Sequence, residues 1–167
     1  MSTEHSHTES PVLTQQVERD WLADQDSKTG LEVMRWVKEH DGDHIRSIRR
    51  LLGMQFDEID PGRVVMSLTT NPDFTNPLGT VHGGIAATLL DSVMGCAVHT
   101  MLPAGVGYTT LELKVNYIRA AKIDGLTLSA VGTTIHVGRT TATAEWKVVD
   151  ENGKLIAHAT TTCLVIS

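Results

Sequence analysis

Between Ile85 and Met101 the chain carries one carboxylate, Asp91, and no lysine or arginine, in a run otherwise built mostly from Ala, Leu, Val, Met and other small or apolar residues. A proline-free run of that length reads as a helix, and a helix apolar on nearly every side needs cover around much of its circumference. A single curved sheet wrapped around it is the simplest cover the rest of the chain can supply.

The flanking segments have the pattern of such a sheet. From Met54 the apolar period falls to two: Met54 and Phe56, the turn Asp60-Pro61-Gly62, then Val64, Met66 and Leu68, a hairpin. After the helix come four segments rich in Thr, Val and Ile, at 108–118, 126–137, 140–149 and 155–166. They are broken at 120–125, at Gly138-Arg139 and at Glu151-Asn152-Gly153. The fold class is therefore α+β, with two strands, one long central helix and four further antiparallel strands. A length of 167 residues suits one domain. We place it at 51–167, preceded at 1–50 by a flexible and helical extension. In that extension residues 1–10 are polar and carry His5 and His7, and Leu13, Val17 and Trp21 form one stripe of a short helix. A second helical stretch begins at Leu31 and ends near Gly42, and Ile45, Ile48, Leu51 and Leu52 form a last apolar face.

Charge and composition exclude several classes. The net charge is −6 with no clustered Lys or Arg, which argues against nucleic acid as a partner. No stretch approaches the roughly 20 apolar residues that span a bilayer, and the N-terminus is polar, so the expectation is a cytoplasmic protein that does not engage membranes. Cys96 and Cys163 stand among apolar neighbours, far from any paired spacing, and read as buried reduced thiols. His40 and His44 are four apart, yet a glycine interrupts them, the glutamate of a His-Glu-x-x-His site is missing and no third ligand is near. We expect no metal and no cofactor.

Chemistry concentrates where the turn-rich loop around Asn71, Pro72, Asn76, Pro77 and Gly79 enters the central helix through His82-Gly83-Gly84. The first N–H groups of a helix lack intrahelical partners and sit at its positive end, and glycines let an acyl oxygen approach them closely. That is an oxyanion hole in outline; a tight entry turn would look the same. Asp91, seven residues beyond Gly84, returns to the same helix face about 10 Å further on. One reacting carbonyl cannot touch both. If both groups serve one substrate, a second copy of the chain must contribute one of them.

The spacing Asn-x-x-Gly-x-x-His-Gly-Gly, followed by a helical Asp seven residues on and combined with this strand order, closely resembles the signature of hotdog-fold acyl-CoA thioesterases, in particular the PaaI-like subgroup. The resemblance covers about residues 50–166. It implies a helix wrapped by a curved antiparallel sheet, hydrolysis of acyl-CoA to free acid and CoA, and a homodimer with composite sites, assembled further as a dimer of dimers. It also implies roles. The Gly83 amide and the Asn76 side chain polarise the thioester carbonyl, and Asp91 acts as general base or as nucleophile, with Thr88 and Ser92 as nearby hydroxyls. Thr110, or Thr109 if the register slips by one, positions a water. His82 and Gly84 fall to substrate binding, and Gly138-Arg139-Thr140 contacts the nucleotide end of CoA, with Arg119 as a second candidate. Small residues at Ala87, Gly95 and Ala97 would leave room for an acyl group. Two alternatives remain at this point: a non-catalytic acyl-CoA-binding hotdog protein, although residues 11–52 carry no basic recognition helix, and an acyl-thioester hydratase, although its His and acid pattern is not found.

Overall fold

The structure, a computed structural model, describes residues 26–40 and 47–167. The expected helix at 11–24, the polar residues 1–10 and the stretch from Asp41 to His44 lie outside the described residues. Helix α1 spans Gly30–Glu39, α2 Ile48–Leu52 and the central helix α3 Gly83–His99. The strands are β1 Gln55–Asp60, β2 Arg63–Thr69, β3 Gly107–Tyr117, β4 Thr127–Val137, β5 Thr141–Asp150 and β6 Leu155–Ile166. They form one sheet in the order β1-β2-β4-β5-β6-β3, antiparallel at every pairing. This is the expected hotdog arrangement of a long helix against a six-stranded sheet.

The sheet covers one side of α3. Ala86, Leu89, Leu90, Val93, Met94, Ala97 and Val98, spaced by three and four, are buried against it. Ile85, Thr88, Asp91, Ser92 and Cys96 lie on the other side and stay half-buried. Contact is closest at Gly132 of β4. A Cβ built there would stand 2.3 Å from the Val93 carbonyl oxygen, so the helix backbone rests directly on the strand and no side chain fits between them. Gly132→Ala must lift the helix off the sheet. It is expected to destabilise the fold by about 3 kcal/mol, read as a lower urea midpoint at unchanged slope.

Helix α1 docks on the far end of α3. Thr29 and Glu32 form a capping box that fixes its first turn. The Gly30 N–H donates to the Leu102 carbonyl at 3.0 Å, and Val33 and Met34 are buried. His40 ends this helix with its ring stacked on Trp36. Among the described residues, no helix is long and apolar enough to cross a membrane.

Candidate active site

The loop that leads into α3 is braced by Asn76. Its Oδ1 accepts the N–H groups of Leu78 at 2.8 Å and Thr80 at 3.3 Å, and its Nδ2 donates to Thr80 Oγ1 at 2.9 Å. Gly79 takes the left-handed backbone that closes this turn, at φ 76°. The His82 N–H then donates to the Phe74 carbonyl at 2.7 Å, and the Val81 N–H to the Ala121 carbonyl at 3.0 Å. The entry to the helix is thus tied to two neighbouring loops.

His82 is the N-cap of α3, and its Nδ1 accepts the Gly84 N–H at 2.9 Å. An accepting Nδ1 places the ring proton on Nε2, so the cap is a neutral imidazole with one remaining donor. The Gly84 amide is spent on that bond. The Gly83 N–H makes no hydrogen bond among the described residues and lies at the positive end of a 17-residue helix. Above it stands Tyr117 of β3. Its hydroxyl donates to the Gly83 carbonyl at 3.1 Å, and its ring lies 3.1 Å from where a Cβ on Gly83 would be. A cavity of about 290 Å³ opens beside these groups, lined by Asn76, His82, Gly83, Tyr117 and Arg119 among others.

Asp91 lies eight residues along α3 from Gly83, about 12 Å at 1.5 Å per residue. Its Oδ1 accepts the Thr110 hydroxyl at 2.9 Å. Thr110 faces the helix and Thr109 is exposed, which settles the register. The Thr88 hydroxyl is turned away from the acid, donating to the Gly84 carbonyl of its own helix at 2.8 Å. Neither cysteine competes as a nucleophile. Burial pushes the Cys96 thiol up to about 12 and raises that of Cys163, so both are protonated near neutral pH.

Along β3 the two groups stand apart. Tyr108 and Thr110 face the helix at even positions, whereas Leu113, Val115 and Tyr117 do so at odd positions. A bulge between Thr110 and Glu112 makes the change. Gly83 is braced by Tyr117 at one end of the strand and Asp91 by Thr110 at the other. Thr110 pairs with Cys163, Cys163 with Ala142, and Ala142 with Val137. The turn Gly138-Arg139-Thr140, where Arg139 and Thr140 are exposed, therefore lies at the Asp91 end of the sheet. Arg119 lines the cavity at the Gly83 end. One chain thus gathers Asn76, His82, Gly83, Gly84, Tyr117 and Arg119 in one place and Asp91 with Thr110 in another, towards the end of the sheet that carries the 138–140 turn.

Tyr117 went unnoticed in the sequence, because alternation from Thr110 turns it outward and nothing in the one-dimensional pattern signals the bulge. Room for an acyl group beside Gly95 is not found. The Tyr108 hydroxyl would lie 2.5 Å from a Cβ at Gly95, so the phenol already fills that space. Burial, with Cys96, Cys163 and Asp91 adding to it, raises the Tyr108 hydroxyl above its ordinary range and keeps it protonated.

Residues 78–157 match the thioesterase superfamily. The protein VNG_1336C of Halobacterium salinarum is 34% identical over 118 residues, covering 68% of this chain and 75% of that one. Human acyl-coenzyme A thioesterase 13 is 29% identical over 118 residues, covering 68% and 81%. Among solved structures, the PaaI protein of the E. coli phenylacetic acid degradation operon superposes with a TM-score of 0.70 at 21% identity, over 79% of this chain and 93% of that one, a likeness of fold.

Proposed function

The chain belongs to the thioesterase superfamily and is a thioester hydrolase, and from that premise we propose that it cleaves acyl-CoA to the free acid and CoA at sites shared between two copies. The observation that carries this reading is the division of the chemistry along α3. An unspent N–H at Gly83 and a braced carboxylate at Asp91 lie about 12 Å apart, too far to act on one carbonyl from a single chain.

In the proposed site the thioester oxygen accepts the Gly83 N–H of one copy. The helix dipole makes that donor worth most when the oxygen becomes an oxyanion. Asn76 holds the loop that aims it and lines the same cavity. Asp91 of the other copy, oriented by Thr110, takes a proton from the attacking water or attacks the carbonyl itself. In either route the carbon–sulfur bond breaks and the CoA thiolate leaves, to be protonated; where Asp91 itself attacks, a water then hydrolyses the mixed anhydride, which releases the acid and restores the carboxylate. The neutral His82 offers its Nε2–H to the substrate. The exposed 138–140 turn, with Arg139, holds phosphates of the nucleotide, and Arg119 flanks the approach from the other copy. The scheme calls on no metal and no cofactor.

Pairing has physical support. Strand β3, 11 residues long, is an edge of the sheet, and such an edge readily pairs with another chain. Leu111, Tyr117 and Ile118 are exposed on and just after it, beside the half-covered side of α3. A twofold pairing along this edge also brings the two helices side by side.

The test is release of free thiol from aryl, short, medium and long acyl-CoA substrates, with the oligomeric state measured by light scattering. Hydrolysis of at least one of them by a dimer or tetramer, unchanged by a chelator, is expected. No thiol release from any of them overturns the reading. Activity lost to chelator and restored by zinc overturns its metal-free part.

A further inference from the structure

The peptide between Gly83 and Gly84 is held by a side chain at each end. Its carbonyl oxygen accepts the Tyr117 hydroxyl at 3.1 Å, and its N–H donates to His82 Nδ1 at 2.9 Å. The two partners come from different elements, β3 and the N-cap of α3, so the peptide plane is fixed from both sides. The N–H proposed to meet the oxyanion belongs to the preceding peptide and shares the Gly83 Cα with this one. Fixing the 83–84 plane therefore limits the rotation by which the Gly83 N–H would swing off target. The Tyr117 ring adds a third restraint. Lying 3.1 Å from an ideal Gly83 Cβ, it closes the space into which the helix entry would otherwise shift.

We propose that Tyr117 is a positioning residue for catalysis, acting through the Gly83–Gly84 peptide to aim the oxyanion donor. This rests on the proposed role of Gly83. Packing within the chain does not call for a hydroxyl at position 117. The ring is more than half exposed in the chain and contributes little to the core, so a residue kept only for packing would do as well without it.

Tyr117→Phe keeps the ring and removes only the hydroxyl. Its kcat is expected to fall about three- to tenfold, the worth of one hydrogen bond expressed in the transition state, with KM and the melting temperature unchanged. A larger loss of kcat is expected for Tyr117→Ala, which frees the helix entry as well. The second readout needs no substrate. Amide hydrogen exchange at Gly84 should quicken in Tyr117→Phe while that of Leu89, deep in the same helix, stays as it is. Wild-type kcat and wild-type exchange in Tyr117→Phe overturn the proposal, as does a loss that appears only in KM or only as lowered stability. If the wild-type protein releases no thiol from any acyl-CoA, the functional reading fails separately, and exchange at Gly84 alone decides whether the clamp exists.

Discussion

Asp91→Asn is expected to lower kcat by about 10²- to 10⁴-fold with little change in fold stability, measured as thiol release from the best acyl-CoA and by thermal melting. The range is that of a lost general base, and a lost nucleophile costs no less. The amide keeps the carboxylate's shape and can still accept the Thr110 hydroxyl through its oxygen, so the brace seen at 2.9 Å survives. What disappears is the ability to take a proton or to attack. Thr110→Val provides the graded comparison. It leaves the carboxylate and removes only its orienting hydrogen bond, for which about a tenfold loss is expected. An Asp91→Asn variant with wild-type turnover would mean that the acid is structural and that water is activated elsewhere. Turnover in H₂¹⁸O under single-turnover conditions separates the two routes open to Asp91. An enzyme carboxylate oxygen in the product acid, with solvent oxygen left in Asp91, demonstrates direct attack followed by hydrolysis at the aspartyl carbonyl, whereas base catalysis delivers solvent oxygen to the acid and none to Asp91.

The central helix and the sheet around it were readable from the chain because burial writes itself into spacing. The residues of α3 that meet the sheet recur at three and four, and the strands alternate, with Leu128 and Ala130 of β4, Ala142 and Ala144 of β5 and Ala157, Ala159 and Cys163 of β6 on the buried face. Where reading stopped, the cause was local geometry that no spacing records. One extra residue between Thr110 and Glu112 reverses the inward set of β3 and turns Tyr117 onto Gly83. The emptiness suggested by Gly95 of the helix was filled from strand β3, by Tyr108. A glycine inside a helix or strand can mark a close approach, and whether the neighbour is substrate or side chain depends on a long-range contact. The same holds at Gly132, where the neighbour is the backbone of α3 itself. The separation of Gly83 from Asp91 was legible for the opposite reason. A helix is rigid enough that eight residues fix a distance, so the separation of Gly83 from Asp91 follows from counting.

That separation makes a test by complementation possible. Gly83→Ala places a methyl against the Tyr117 ring and crowds the Gly83 amide, for which a loss of about 10²- to 10³-fold is expected, as for removal of a single oxyanion donor. As homodimers, Gly83→Ala and Asp91→Asn are then both nearly inactive, since every site lacks one necessary group. In a heterodimer the sites differ. The site that takes its amide from the Asp91→Asn chain and its carboxylate from the Gly83→Ala chain carries neither lesion, and the other carries both. Random pairing of equal amounts gives heterodimers in about half the population, each with one working site of two, so activity should return to about a quarter of the wild-type value. That lies at least tenfold above either parent. Differently tagged chains, refolded together and purified through both tags, isolate the heterodimer, for which half of wild-type activity is expected. A verified heterodimer no more active than its parents would place Asp91 in the service of its own chain, and the shared site would have to be abandoned.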